Sequence, residues 1–545
     1  MSDRASVPWR AMLVVFVAGL AYFLSYMRYG FAYDEGYLLD SVEKILGGQV
    51  IYRDFHHTYA PGGFYLVAAL FKIFGQNIMV ERALFAVLEA LKCALAFGIV
   101  RTIAPSRFAY LAPVLLAIAP GPWHKVFLPA FGFLALYAVL VAAARRPVWY
   151  LLSGVVIGVS AVFRQDVAAF AAISAVIVVA CEAGRTGRAA ARPLVRLAYL
   201  AVGIAIVVGP VLAAFWRAGA LGAMIHDLTV EGMLDNMTNR IAFPGIAAKA
   251  APSAQYMLYV LPVKALFYLP FAAYALSAAV LARALLRRAW GTGHSFLLAV
   301  LAAAVLAFNQ SMWRSDVGHL LQTMQYVFLL VPPLAAIGHR VIAQGARLST
   351  RSSGLLAAAL LVCVPAALLW ATVACTRAVT EPAVAAEFQT EGVSVGDTEY
   401  VGSVLVRVNN TAKLDVPRAP IFVTPAEARF FSEIGRFLDT DTKPGDYVLA
   451  VPQLQTMYFL FDRRNPTRYS HYRRRLGAAE EKRYMEDIQS HGTEYILLTE
   501  PYEGARVGQT AESFSQYATP VRDWILANYA PVGRIGWVTV LRKRS

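Results

Sequence analysis

About eleven apolar stretches run along the first two thirds of this chain, at 11–27, 84–103, 107–120, 126–144, 149–163, 167–181, 194–216, 256–282, 295–310, 320–338 and 354–375. A run of about 20 apolar residues crosses the hydrocarbon core of a bilayer, where a helix satisfies all its own backbone polar groups. The pattern therefore predicts a multi-span α-helical membrane protein. The run at 107–120 is short, which predicts a broken or tilted span. Composition agrees: 58% of the 545 residues are hydrophobic and 16% are charged, against about 25% charged in soluble domains. A single soluble domain, a disordered chain and a fibrous repeat are excluded. No small-residue cleavage site follows the first run, so it is read as a span and not as a leader.

The net charge is +15, from 50 Lys and Arg against 35 Asp and Glu. Gathered on one face, such an excess would suit nucleic acid. Here it falls on alternate loops: Arg101 and Arg107; Arg145 and Arg146; Arg185, Arg188, Arg192 and Arg196; Arg283, Arg287 and Arg288; Arg340, Arg347 and Arg351, opposed only by Glu182. Basic loops mark the cytoplasmic side. The N-terminus is then cytoplasmic, everything after Cys375 is extracytoplasmic, and no nucleic-acid partner is expected. The other loops mix acids with bases: Asp34, Glu35, Asp40, Glu43, Asp54 and Glu81 in the first, Asp166 in a later one, then Asp227, Glu231 and Asp235, then Asp316. The acidic chemistry lies on the outer face. The four cysteines, Cys93, Cys181, Cys363 and Cys375, show neither metal-ligand spacing nor a disulfide framework.

Two domains are expected: a transmembrane domain over 1–375, with its first outer loop at 28–83, and an extracytoplasmic α/β domain over 376–545. In the latter, 446–452, 494–499 and 537–541 alternate or run apolar as strands do, and 426–438 and 480–490 read as helices. Residues 376–425 are expected to hold a few antiparallel strands. Tyr458, Phe459 and Phe461 read as core packing before sugar stacking, and Arg473-Arg474-Arg475 as a solvated face before a contact with anionic lipid or glycan.

The first outer loop is unlike a connector. Residues 37–46 repeat Leu38, Leu39, Val42, Ile45 and Leu46 at helical spacing, with Asp40, Glu43 and Lys44 opposite, which predicts a helix lying along the outer interface. Gly47-Gly48 ends it. Asp54, His56 and His57 follow, and Pro61-Gly62-Gly63 opens a second apolar helix through Phe74. A carboxylate at the outer leaflet is suited to take a proton from a hydroxyl that attacks a lipid-borne group. The plain alternative is that Asp34 and Glu35 are solvated loop charges.

These residues carry a resemblance. Asp34-Glu35 after the first span, the stretch Gly48–Gly63 with Tyr52, Asp54 and Pro61-Gly62, Gly75 with Glu81-Arg82, and Gly158–Asp166 together resemble the GT-C superfamily of membrane glycosyltransferases. The likeness is to the bacterial branch with protein O-mannosyltransferases and lipid A aminoarabinose transferases. It covers roughly 10–340 in organisation, and departs from the pattern at Arg53-Asp54-Phe55-His56-His57. The resemblance implies a polyprenyl-phosphate-sugar donor, inversion at the anomeric carbon, and a glycan, lipid or protein acceptor, in a bacterial inner membrane.

On that basis Asp34 is the candidate base, with Glu35 to orient it and Asp54 as second choice. Candidate cations for the leaving phosphate are His124, Lys125, Arg164, Arg314 and His319. For Arg164 and Arg314 the plain alternative is pairing with Asp166 and Asp316. Arg82 is read as pairing with its neighbour Glu81 and is left out. Mg²⁺ or Mn²⁺ at Asp34, Glu35, Asp54 and His56 stays open, since no spacing is diagnostic. The long loop 217–254 is a candidate gate over the site. No P-loop or dinucleotide fingerprint occurs. The alternatives are a transporter or lipid flippase of envelope precursors, or a non-catalytic assembly protein; the acids cluster at one face and no repeat is seen, unlike many transporters.

Overall fold

The computed structural model describes residues 7–31, 34–186, 191–238, 240–395, 406–472, 475–499 and 514–544. Arg473 and Arg474 of the basic triplet lie outside the described residues. The chain divides into two compact units. One comprises Met1–Ser25, Phe85–Ala213 and Arg240–Ser403; the other comprises Tyr26–Leu84, Ala214–Asn239 and Val404–Ser545.

The first unit is helical. Among the described residues, eight helices of the chain are long and apolar enough to cross a membrane: Trp9–Tyr26, Ile78–Ile103, Trp123–Ala143, Gln165–Arg185, Arg192–Arg217, Tyr256–Leu286, Thr292–Trp313 and Thr350–Thr380. Val317–Val327 and Val331–Gly345, bent by 58°, make a ninth if taken as one broken span. The short run at 107–120 falls in Ser106–Ile118, and the run at 149–163 forms Trp149–Phe163; both helices are apolar but shorter. Every apolar run thus forms a helix. Leu13, Val14, Val17, Val202 and Ile206 are exposed, as lipid-facing side chains must be. Two helices meet backbone to backbone at glycines: a Cβ on Gly203 would lie 2.7 Å from the Val155 nitrogen and 2.8 Å from the Gly154 Cα. Small residues permit such close approach in membranes.

The second unit gathers segments far apart in sequence. Its sheet has the order β3-β4-β6-β5, where β3 is Val448–Val451, β4 Tyr495–Leu498, β5 Tyr529–Ile535 and β6 Val538–Lys543. β3 and β4 are parallel; β4 with β6 and β6 with β5 are antiparallel. The two parallel strands are buried throughout, which their apolar runs require. Helices Ala478–Ser490 and Thr519–Asn528 cover the sheet through Tyr484, Ile488, Val521 and Ile525. Helix Pro425–Asp441 starts at Thr424, whose hydroxyl accepts from the Glu427 N–H while Glu427 accepts from the Thr424 N–H, a capping box. β1 (Ala412–Lys413) and β2 (Phe422–Val423) form a small antiparallel pair; helices extend to Thr380 and over Pro382–Glu391, where strands were expected. Tyr458 and Phe459 are core residues.

The loop helix forms over Glu35–Leu46 and its companion over Gly62–Phe74. The first does not lie along an interface with its polar side outward. Asp40 and Lys44 are buried and paired at 3.1 Å. Lys44 donates to the Thr467 carbonyl at 3.0 Å, Asn465 donates to Asp40 at 3.3 Å, and Glu43 accepts from Arg418 at 2.6 Å. The polar side is covered by the C-terminal segment, so each buried charge needs a partner, and the C-terminal segment supplies it.

Candidate functional site

In the second unit Asp34 and Glu35 stand at the head of helix Glu35–Leu46. Asp34 occupies the N-cap position, half-buried, and its side chain makes no capping hydrogen bond. The helix N-terminus favours a carboxylate there. Glu35 is buried and meets the guanidinium of Arg82 through two bonds, Nε to Oε1 at 2.8 Å and Nη2 to Oε2 at 2.7 Å. Arg82 also donates to the carbonyls of Met27 and Gly30, each at 3.0 Å. It therefore pins the chain on both sides of Asp34. Arg82 does not pair with Glu81, because adjacent residues on a helix do not face each other. That spacing rule was the available signal that Arg82 must look elsewhere. Glu81 is buried, and neither carboxyl oxygen has a hydrogen-bond partner among the described residues.

Asp54 closes a turn. Its carboxylate accepts from the Val50 N–H at 2.7 Å and from Arg53 at 2.8 Å through both Nε and Nη2. The Arg53 bonds hold its carboxyl below the usual range and, with the Val50 N–H, outweigh the opposing effect of burial. His56 Nδ1 lies 3.0 Å from Asp227 Oδ2, which also accepts the His57 N–H at 3.2 Å. Asp227 opens a π-helical turn, Asp227–Glu231. The loop marked as a gate is thus tied to the first outer loop. The side chain of Asp235 lies outside the described residues. His57 is buried, with its ring 4.1 Å from those of Tyr37 and Phe64. Burial, aided by His56, His471 and Lys44, pushes its pKa well below 6.5. Its Nδ1 accepts the Tyr59 N–H at 3.1 Å, so the neutral ring carries its proton on Nε2.

Among the described residues, no three His, Cys, Asp or Glu gather as a metal site. Asp34, Glu35, Asp54 and His56 do not form such a group here. Glu35 is held by Arg82, Asp54 by Arg53, and His56 by Asp227.

The candidate cations lie in the helical unit. Asp316 caps helix Val317–Val327 by accepting the His319 N–H at 2.8 Å. It also accepts from Arg314 Nε at 3.0 Å and from His319 Nδ1 at 2.9 Å. His319 Nε2 lies 3.4 Å from Lys125 Nζ. With Nδ1–H facing a carboxylate and Nε2 facing an ammonium, His319 is neutral and relays one charge to the other. Arg314, His319 and Lys125 are therefore brought together around Asp316, whose pairing with Arg314 was the plain alternative.

Lys125 ends the 3₁₀ turn Trp123–Lys125. Just before it, the Pro120 carbonyl accepts from Lys92 at 3.0 Å and from Gln325 at 2.5 Å. Lys92 is itself buried and paired with Glu89 at 2.5 Å. His124, next to Lys125, is buried. Arg164 forms a two-bond pair with Asp166, at 3.0 and 2.9 Å.

Residues 57–213 match the family described as dolichyl-phosphate-mannose-protein mannosyltransferase. No curated protein matches the chain by sequence. Among solved structures, the chain is similar to ArnT from Cupriavidus metallidurans bound to undecaprenyl phosphate, with 14% identity, a TM-score of 0.51, and 98% of this chain and 96% of that one covered. ArnT from the same organism in the apo state gives 14% identity, the same coverage and a TM-score of 0.49. The first likeness is one of fold, and with the family match over 57–213 it bears out the resemblance to the GT-C superfamily: the chain has an ArnT-like membrane fold.

Proposed function

We propose that this protein moves a sugar from a polyprenyl-phosphate donor to an acceptor hydroxyl at the outer face of a bacterial inner membrane. The observation that carries this reading is the fixed head of helix Glu35–Leu46. Glu35 is locked by Arg82, and Asp34 stands beside it at the N-cap position, half-buried. A carboxylate so placed is suited to act as a base. The match of 57–213 to a mannosyltransferase family and the fold of an enzyme crystallised with undecaprenyl phosphate support the donor class.

On this reading Asp34 takes the proton of the acceptor hydroxyl. The acceptor oxygen bonds to the anomeric carbon, the bond from that carbon to the phosphate oxygen breaks, and the electron pair leaves with polyprenyl phosphate, with inversion. Growing charge on a leaving phosphate needs cations; Lys125, Arg314 and Arg164, with His124 as a further donor, are the candidates, while His319, first read as one of them, spends its one N–H on Asp316 and positions Lys125. Asp54, held by Arg53, is the alternative base. The orientation is supported by two facts. Arginine-rich loops alternate with acid-bearing ones along the sequence, and Tyr26–Leu84 shares a compact unit with Val404–Ser545, as segments on one side of a membrane would. The acceptor is a glycan, lipid or protein hydroxyl.

The test is donor turnover by purified protein in lipid nanodiscs, with a panel of radiolabelled polyprenyl-phosphate sugars. Asp34→Asn is expected to bind donor and lose turnover. Turnover that survives moves the base to Asp54 or Glu35. No binding or turnover by the wild type across the panel overturns the reading.

A further inference from the structure

At the end of the helical unit that carries the basic loops lies a cavity of about 820 Å³. Arg101, Arg145, Arg340 and His294 line it, over apolar walls that include Phe97, Leu140 and Leu297. No acid lines it. Arg101 is half-buried, and Arg145 and Arg340 are exposed; among the described residues no acid pairs with any of the three, whereas the other half-buried arginines of this unit, Arg164, Arg196 and Arg314, all have one. Arg145 lies over the Trp149 ring at 4.5 Å, which steadies its plane and leaves its N–H edge to donate. His294 Nδ1 accepts the Gly291 N–H at 3.0 Å, so its proton sits on Nε2 as a further donor.

Three cations that share one cavity, with no acid beside them among the described residues, repel one another, and a bound anion relieves that repulsion. The planar donors of arginine match phosphate oxygens. The apolar walls match hydrocarbon, and the cavity is bounded by the ends of helices long enough to span a membrane, Ile78–Ile103, Trp123–Ala143 and Thr292–Trp313 among them. We propose that this cavity binds the phosphate headgroup of an anionic phospholipid, with the start of its chains against the apolar walls. The site is independent of the glycosyltransferase reading, since none of its residues belongs to the candidate acid or cation clusters.

The experiment uses the full chain in detergent. Thermal protection is titrated with short-chain phosphatidylglycerol, with phosphatidylcholine of the same chains, and with inorganic phosphate. The wild type is expected to respond to phosphatidylglycerol alone. At about fivefold per arginine near a lipid surface, Arg101→Gln/Arg340→Gln is expected to weaken the apparent affinity about 25-fold, and Arg101→Lys/Arg340→Lys to restore most of it. Should the Gln pair fail to fold, Arg340→Gln alone carries the same comparison. Equal affinity in wild type and Gln variants overturns the proposal. Equal protection by phosphatidylcholine overturns the headgroup, and equal protection by inorganic phosphate alone overturns the lipid in favour of a soluble phosphate.

Discussion

Lys125 Nζ lies 3.4 Å from Nε2 of His319, whose other ring nitrogen faces Asp316 at 2.9 Å. A neutral histidine there holds the ammonium without neutralising it, which suits the proposed role of Lys125 at a leaving phosphate. Removing one electrostatic donor from a transition state costs about 10²–10³ in rate. Lys125→Met is expected to lower kcat for donor turnover by about that much, with little change in melting temperature. Lys125→Arg is expected to recover part of it. A change in stability with no change in turnover would make Lys125 structural only.

Arg82 and Glu35 are buried and joined by two bonds. Removing one partner of a buried ion pair leaves a stranded charge, at a cost of about 3–5 kcal/mol. Arg82→Met is expected to destabilise the second unit by about this amount, read as protease susceptibility of the 28–83 loop. Adding Glu35→Gln is expected to recover much of the loss. A double variant as unstable as the sum of the single changes would mean that the two side chains act separately.

His57 is buried neutral, with its pKa pushed well below 6.5 by burial and neighbouring cationic groups. The unfolded chain takes up a proton as pH falls through 6.5, while the folded chain does not. Stability is therefore flat above pH 6.5 and declines below it, until pH reaches the depressed folded value. One such group contributes a slope of at most about 1.4 kcal/mol per pH unit. Unfolding followed at pH 7.5, 6.5 and 5.5 is expected to show this decline, and His57→Gln to flatten it.

Gly36 lies against the start of helix Thr456–Phe461. A Cβ there would come within 2.7 Å of the Thr456 nitrogen and Cα. Backbone cannot yield as a flexible side chain can, and overpacking costs about 1–3 kcal/mol. Gly36→Ala is expected to lower the melting temperature and loosen the hold of the C-terminal segment on the loop helix. Gly48→Ala, with open space but a φ of +88°, serves as a comparison in which only backbone strain acts.

The helices over the eleven apolar runs, the helix over Glu35–Leu46 and strands β3, β4 and β6 were all legible in the chain. Each depends on length and periodicity within a few residues, and a lipid or a sheet core reads that pattern locally. Asp34-Glu35 stood out for the same reason, as acids directly after a span. The partners of the charged groups were not legible. Glu35 takes Arg82, 47 residues away; His56 takes Asp227, 171 away; Lys125 takes His319, 194 away. Nothing local selects among so many acids and bases. Only the packed chain decides which charges are buried together, because burial is what makes an unpaired charge costly enough to demand one particular partner.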